Sequence, residues 1–305
     1  MSLQQLPTAT TPAPAQPPLF SIATPARNAL SNLRRCAGSV RGQQGVRWEH
    51  LVQDAGSIDG TPVWLQQQAQ RDPSFKPVSA ADDGMYDGIN RAWARAGGDV
   101  FAWLNADEQY LPGALARVAQ FFDHHPHVQV MFADYIVCSD SGTPVALRRE
   151  IPFRSLYVRN SFLYAQSCTL FFRRSLLDQG WLDFDTRLRY AADKDLMLRL
   201  AARGVHIRHL PQYLALFGVD GSNLSSHEGM LKEAHAVRQW HGAFASPLLR
   251  LAVLALRRSE RLCRGAYFRR SLNYAFATDE VPHYKDQQAS HVGGRYTLAD
   301  AAPCA

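Results

Sequence analysis

The chain has 305 residues, 46% of them hydrophobic, with a net charge of +6 and a sequence pI near 9.2. That is enough for one large domain plus an appendage, and it excludes an acidic or fibrous protein. The basic excess is arginine, since only Lys76, Lys194, Lys232 and Lys285 are lysines, and it points to anionic partners such as a nucleotide diphosphate or an anionic bilayer.

Five scattered cysteines with no Cys-x-x-Cys pair argue for reduced thiols in a cytosolic setting, against both a disulfide framework and a zinc site. Residues 1–18 are rich in Pro, Thr, Ala and Gln and read as a disordered leader, not a signal peptide. No uninterrupted apolar run reaches about 18 residues, so no spanning helix is predicted.

Leu19 to Ala23 reads as a short strand broken by Pro25. Leu30, Leu33, Ala37 and Val40 mark a helix that ends near Gly42. Glu49 to Gln53 is a second strand running into Asp54, and a helix follows from Pro62 to Gln70. Phe75 to Ser79 is a third strand. Met85, Ile89, Ala92, Trp93 and Ala96 then repeat at helical spacing, and Gly97-Gly98 stops the helix. Val100 to Leu104 is a continuous apolar run, as in a strand covered on both faces of a parallel sheet. Asn105, Asp107 and Glu108 fall just past its carboxyl end, where open α/β sheets place ligands.

A helix after Pro112 and a strand from Val128 to Ala133, ending at Asp134, continue the alternation. The order implies a parallel α/β sheet with right-handed crossovers. It puts Asp54, Asp107 and Asp134 at carboxyl ends of strands, a cation- or sugar-binding edge. Cys168 to Phe172 is a further buried strand, a helix runs from about Ala192 to Gly204, and Val205 to Leu210 is the final strand. From Pro247 to Arg270 there are seven arginines against one acid, Glu260, with leucines between them. Such a segment suits an amphipathic helix on an anionic membrane, or a face packed on the main domain. The last thirty residues read as loose. The implied layout is a leader 1–18, a main domain 19–225, a helical Arg-rich extension 226–275 and a tail 276–305.

Several runs resemble one family. Thr24-Pro25-Ala26-Arg27-Asn28 follows the first strand, and Glu49-His50 leads to Asp54-Ala55-Gly56-Ser57-Ile58-Asp59-Gly60-Thr61. Ser79 to Asn90 contains Asp82, Gly84, Tyr86 and Asp87, and Leu104-Asn105-Ala106-Asp107-Glu108 matches a Leu-Asn-x-Asp-Asp metal motif. Gln166 to Arg174 and Ala192-Asp193-Lys194-Asp195 complete the order. From Leu19 to about Ser222 the chain therefore resembles family-2 glycosyltransferases of the GT-A fold, the bacterial type that builds cell-surface polysaccharide. It departs from their pattern at Ala55, Ala80, Glu108 and Ala192.

The resemblance implies a GT-A fold, a single Rossmann-like, mostly parallel sheet flanked by helices, here with a helical C-terminal extension. It implies an inverting transfer of a sugar from a UDP-, GDP- or dTDP-linked donor to a hydroxyl on a glycan or lipid-linked acceptor. Thr24, Asn28, Asp54, Asp82, Gly84, Tyr86, Asn105 and Asp107 fall at donor positions, and Gln166 and Arg173 on the acceptor side. Neutralising a leaving diphosphate calls for Mg²⁺ or Mn²⁺ on Asp107, with Glu108 beside it. Alternatively, the two acids cap the helix that follows. Asp193 is the matching general base and Asp195 its rival, both also being first-turn helix acids. Tyr86 and Trp93 fit equally as core aromatics. The implied location is cytoplasmic, at the inner face of the cytoplasmic membrane if the Arg-rich helix binds lipid.

The alternative is a non-catalytic nucleotide-sugar-binding protein of the same fold. No nucleic-acid-binding motif accompanies the positive charge, so a nucleic-acid partner is excluded. The chain has no phosphate-loop or dinucleotide fingerprint. No histidine pair has metal-ligand spacing; His206 and His209 fall on opposite faces of a strand.

Overall fold

A computed structural model describes residues 19–219 and 228–295. The leader 1–18 and the end of the tail, 296–305, lie outside the described residues. In chain order the first half is β1 (Leu19–Ala26), α1 (Leu30–Arg41), β2 (Arg47–Asp54), α2 (Thr61–Arg71), β3 (Val78–Ser79), α3 (Met85–Ala94), β4 (Val100–Trp103), β5 (Gln109–Tyr110) and α4 (Ala114–His124). Then come β6 (Val130–Cys138), β7 (Pro144–Arg148), α5 (Ser155–Asn160), β8 (Phe171–Arg173), α6 (Arg174–Asp178), α7 (Ala192–Ala202) and β9 (Ile207–Gly218). The extension is α8 (Glu228–Trp240), α9 (Pro247–Cys263), β10 (Arg270–Ala277) and β11 (Tyr284–Val292).

Nine strands form one sheet in the order β3-β2-β1-β4-β8-β6-β9-β5, with β7 on the outer part of β6. β1, β2, β3 and β4 pair in parallel, as do β6 and β9, whereas β5, β7 and β8 run against their neighbours. The mostly parallel α/β sheet predicted from the alternation is present. Its antiparallel members are short, and short strands carry little periodicity. Trp93 is core: its indole N–H donates to the Ala102 carbonyl at 3.1 Å, and its ring stacks on Phe184.

Two expectations are corrected. β6 does not stop at Ala133 but continues to Cys138, so Asp134 lies inside a strand, not at its end. Its buried carboxylate accepts from Glu150 N at 2.9 Å and bonds His209 Nε2 at 2.7 Å. The tail is not loose throughout, because β10 and β11 form a hairpin. The hairpin packs on α1 and β7, with Gln109 exchanging two bonds with Ala277 and Trp64 donating to Glu280. A Cβ at Gly38 would overlap the Asp279 carbonyl. Gly38→Val is therefore expected to pry the hairpin from α1 and cost about 1–3 kcal/mol. An unchanged urea midpoint would rule out tight docking.

Helix α9 inverts the usual arrangement of an Arg-rich helix. Val253, Arg257 and Arg261 face inward, whereas Leu248, Leu249, Leu256 and Leu262 are exposed. Arg257 lies 3.9 Å above the Phe162 ring and 4.8 Å above Tyr164, and burial pushes its pKa down to about 10. Arg261 pairs with the buried Glu150, which Arg148 also holds at 2.9 Å. Glu150→Leu strands these cations and is expected to cost about 3–5 kcal/mol in chemical denaturation. A loss near zero would mean that the pair does not fasten the extension.

Candidate functional site

One cavity of about 1510 Å³ opens over the carboxyl ends of β1 and β4 and is closed by α7, α8 and α9. Eight of the sequence-predicted residues line it: Asn28, Asp82, Gly84, Tyr86, Asn105, Asp107, Gln166 and Asp193. The cavity combines two sets of elements, the sheet-edge loops of the first half and the helices of the second.

The loop after β1 is fixed by Asn28, which sits at φ 49°, a left-handed conformation asparagine tolerates. Its Oδ1 accepts from Ile58 N at 2.9 Å, and its N–H donates to Ser57 Oγ at 2.7 Å. The loops after β1 and β2 are thereby tied together. Asp82 accepts from Gly84 N at 3.0 Å, and burial raises its pKa. Gly84 adopts φ 113°, a backbone conformation that glycine alone enters without strain.

Past β4, Asp107 and Asn105 line the cavity, but Glu108 does not. Glu108 is turned inward and fully buried, accepting from Asn105 N at 2.8 Å and from the Ser167 hydroxyl. Burial, then the neighbouring Asp107 charge, pushes its pKa up to about 8. Glu108, expected beside the metal, thus lies off the cavity and props the loop from beneath. Asn105 Oδ1 is buried with no hydrogen-bond partner. A carboxylate beside an orphaned amide oxygen is a hard-oxygen pair. It fits Mg²⁺ or Mn²⁺, which take most of their ligands from substrate phosphates and water. No cluster of three or more His, Cys, Asp or Glu that could hold a metal occurs among the described residues.

Asp193 stands in the first turn of α7 and lines the same cavity. Burial raises its pKa, against opposing bonds from the Lys194 N–H and the Tyr86 hydroxyl. Tyr86 is accordingly both a buried aromatic, packed on Phe184, and a contact of the candidate base. Asp195 faces away from this cavity. Its carboxylate is held by Arg199 Nε at 2.7 Å and His241 Nε2 at 2.8 Å. Burial pushes its pKa up, but those two bonds outweigh it and leave it low. The rival base is therefore a structural link between α7 and the end of α8.

Three further predicted residues lie off the cavity. Thr24 is fully buried and bonds His50 Nε2 at 2.8 Å, while Pro25 to Asn28 line the wall instead. Asp54 is also fully buried, receiving Ser57 N at 3.2 Å, the Ser57 hydroxyl and Ser79 Oγ at 2.5 Å. It shapes the loop that presents Ala55. Arg173 turns to the far side, donating from Nε to the Val128 carbonyl at 2.7 Å and from a terminal nitrogen to Phe122 O at 2.8 Å. It ties the C-terminal end of α4 to the sheet and does not line the cavity.

Residues not singled out from the sequence complete the site. Glu233 of α8 accepts from the backbone N–H groups of Arg189, Tyr190 and Ala191 at 2.9, 2.7 and 3.2 Å, capping the approach to α7. Lys194, Arg238, Arg250 and Arg258 line the cavity from α7, α8 and α9. A run of arginines signals charge in the sequence, but not which of them converge.

The model for glycosyl transferase family 2 matches residues 21–181. The O-antigen biosynthesis protein RfbC of Myxococcus xanthus is 29% identical over 221 residues, which are 70% of this chain but 16% of that protein. Among solved structures, S. aureus TarS residues 1–349 in complex with UDP-GlcNAc has a TM-score of 0.60 at 19% identity, covering 80% of this chain and 72% of that one. The mannosyltransferase PcManGT of Pyrobaculum calidifontis, in complex with GDP-Man and Mn²⁺, has a TM-score of 0.52 at 18% identity, covering 85% and 84%. These likenesses identify the fold as GT-A. With more than half of its length matched by the family model, the chain belongs to glycosyl transferase family 2.

Proposed function

We propose that the chain transfers a sugar from a nucleoside-diphosphate sugar to a hydroxyl acceptor, with inversion, in the assembly of cell-surface polysaccharide or a lipid-linked glycan. The observation that carries this is the convergence of Asp107, from the loop after β4, and Asp193, from the first turn of α7, on one cavity. Asp107, with Asn105 Oδ1 beside it, would hold the cation. When bound, that cation supplies positive charge against the leaving diphosphate. The loops at Asn28 and Asp82–Gly84 would seat the donor along the sheet edge. Asp193 takes the proton of the acceptor hydroxyl as its oxygen bonds the anomeric carbon. The bond from that carbon to the diphosphate breaks, and the electron pair leaves with the phosphate. In-line attack by the activated hydroxyl, opposite the departing diphosphate, gives inversion. A raised pKa makes Asp193 a stronger base than an ordinary aspartate.

The neighbours' complexes with UDP-GlcNAc and GDP-Man support a nucleotide sugar as donor, and the Mn²⁺ complex supports a divalent ion. Screening UDP-, GDP- and dTDP-sugars with Mn²⁺ for donor hydrolysis tests the reading. Turnover of one donor class is expected, and no turnover of any alongside nucleotide binding would leave a non-catalytic binding protein.

The exposed leucines of α9, flanked by the exposed Arg258 and Arg264, fit the surface of an anionic bilayer, here the inner face of the cytoplasmic membrane. No helix among the described residues is long and apolar enough to cross a membrane. Leu249→Asp with Leu256→Asp is expected to abolish co-sedimentation with vesicles of anionic phospholipid. Equal sedimentation of variant and parent would remove α9 as the contact.

A further inference from the structure

Seven basic side chains line the cavity, Arg27, Arg148, Arg189, Lys194, Arg238, Arg250 and Arg258, and the last four come from the helices of the second half. Its acids are Asp82, Asp83, Asp107 and Asp193, of which the first three lie on the loops of the sheet edge. Its helical wall, built from α7, α8 and α9, carries Lys194, Arg238, Arg250 and Arg258. Among the described residues no carboxylate pairs with Arg238, Arg250 or Arg258, although arginines elsewhere in the protein form many ion pairs. Lys194 is nearly fully buried, and among the described residues its ammonium donates only to the Ser161 carbonyl, at 2.9 Å.

These cations also press on one another. Burial, then the Arg238 charge, pushes the Lys194 pKa down to about 8, and burial followed by Arg250 lowers that of Arg238. Arg238 Nε is buried without a hydrogen-bond partner. Like charges held together with an orphaned donor are costly unless an anion joins them. Three helices supply these side chains, Lys194 from α7, Arg238 from α8, and Arg250 and Arg258 from α9, so the clustering is a product of tertiary structure and not a run in the sequence.

We propose that Lys194, Arg238 and Arg250, with Arg258 at the rim, form a subsite for a phosphate or diphosphate group on the acceptor. This rests on the proposed transfer reaction and adds the class of acceptor: a phosphorylated carrier, whose hydroxyl or sugar reaches Asp193 while its phosphate rests on the helical wall. Guanidinium groups suit phosphate oxygens because they present paired N–H donors. The donor's own diphosphate belongs beside Asp107. Leu251 and Leu254 of α9 line the same wall, beside Arg250 and Arg258, and provide an apolar surface for a lipid carried by that phosphate.

The test measures binding of inorganic pyrophosphate, farnesyl diphosphate and farnesol by calorimetry in EDTA, so that no metal captures the anion at Asp107. Both anions are expected to bind, farnesyl diphosphate more tightly if the source is a lipid carrier and equally if it is a soluble phosphate, and farnesol is not. Arg238→Gln and Arg250→Gln should each weaken both anions about tenfold, the loss expected for one charge-assisted bond. Mn²⁺-dependent nucleotide binding should stay within about twofold, since the nucleotide does not reach these groups. Arg258→Gln, at the exposed rim, guards against misfolding of the inner variants and should weaken the anions less. The proposal is overturned if neither anion binds the parent protein, if the variants bind them normally, or if they lose nucleotide binding to the same degree. If anion binding behaves as expected but no nucleotide binds with Mn²⁺, the subsite stands and the transfer reaction fails.

Discussion

Asp193→Asn is expected to lower kcat for sugar transfer by about 10²–10⁴-fold while leaving donor binding intact. The asparagine keeps the size of the side chain but cannot take the acceptor proton. Asp195→Asn should have a far smaller effect on kcat, because its carboxylate serves Arg199 and His241 rather than the cavity. The reverse ranking would reassign the base. The raised pKa of Asp193 adds a pH signature. The acid limb of the kcat profile should lie above the ordinary aspartate value of about 3.9. Tyr86→Phe removes a bond that favours the ionised form, so it should shift that limb to higher pH. The stability sign follows from the same shift. A raised folded pKa means that the folded protein holds this proton more tightly than the unfolded chain does. Ionisation of Asp193 then reduces stability as pH rises from its unfolded value through its folded one. Asp193→Asn should consequently melt slightly higher than the parent at neutral pH, and a lower melting temperature there would contradict the burial argument.

Asp107→Asn is expected to abolish the rise in melting temperature that Mn²⁺ with the cognate nucleotide confers. At a nucleotide concentration one hundred times Kd, that binding is worth about 2.7 kcal/mol. Glu108→Gln should preserve most of the ligand-dependent rise, since its carboxylate faces Ser167 and the Asn105 N–H below the loop. Equal losses in the two variants would restore Glu108 as a ligand. Retention of the rise in Asp107→Asn would move the cation elsewhere.

The sheet was legible where strands are long or alternate with amphipathic helices, as from Leu19 to Trp103. It was not legible at β5 and β7, which are too short to show a period, nor at the hairpin of β10 and β11, and the strand read from Cys168 begins only at Phe171 as β8. Hairpin residues such as Asn273 and Gln288 are polar and exposed, and the face that is buried, with Tyr274, Phe276 and Ala289, is set by contacts with α1 and β7, far away in sequence. For the site, the sequence determined which residue types are available at the loop after β4 and at the first turn of α7. It could not determine orientation. Asp107 and Glu108 are neighbours, yet one faces the cavity and the other is buried. Asp193 and Asp195 share a helix turn, yet only one faces the cavity, because residues two apart on a helix point about 200° apart. Thr24, Asp54 and Arg173 occupy family positions but spend their polar atoms on the scaffold. The cation wall was visible only as positive charge. Its convergence depends on α9 burying Arg257 and Arg261 against the domain, which turns Arg250 toward the cavity and the leucines outward, and only the folded packing decides that rotation.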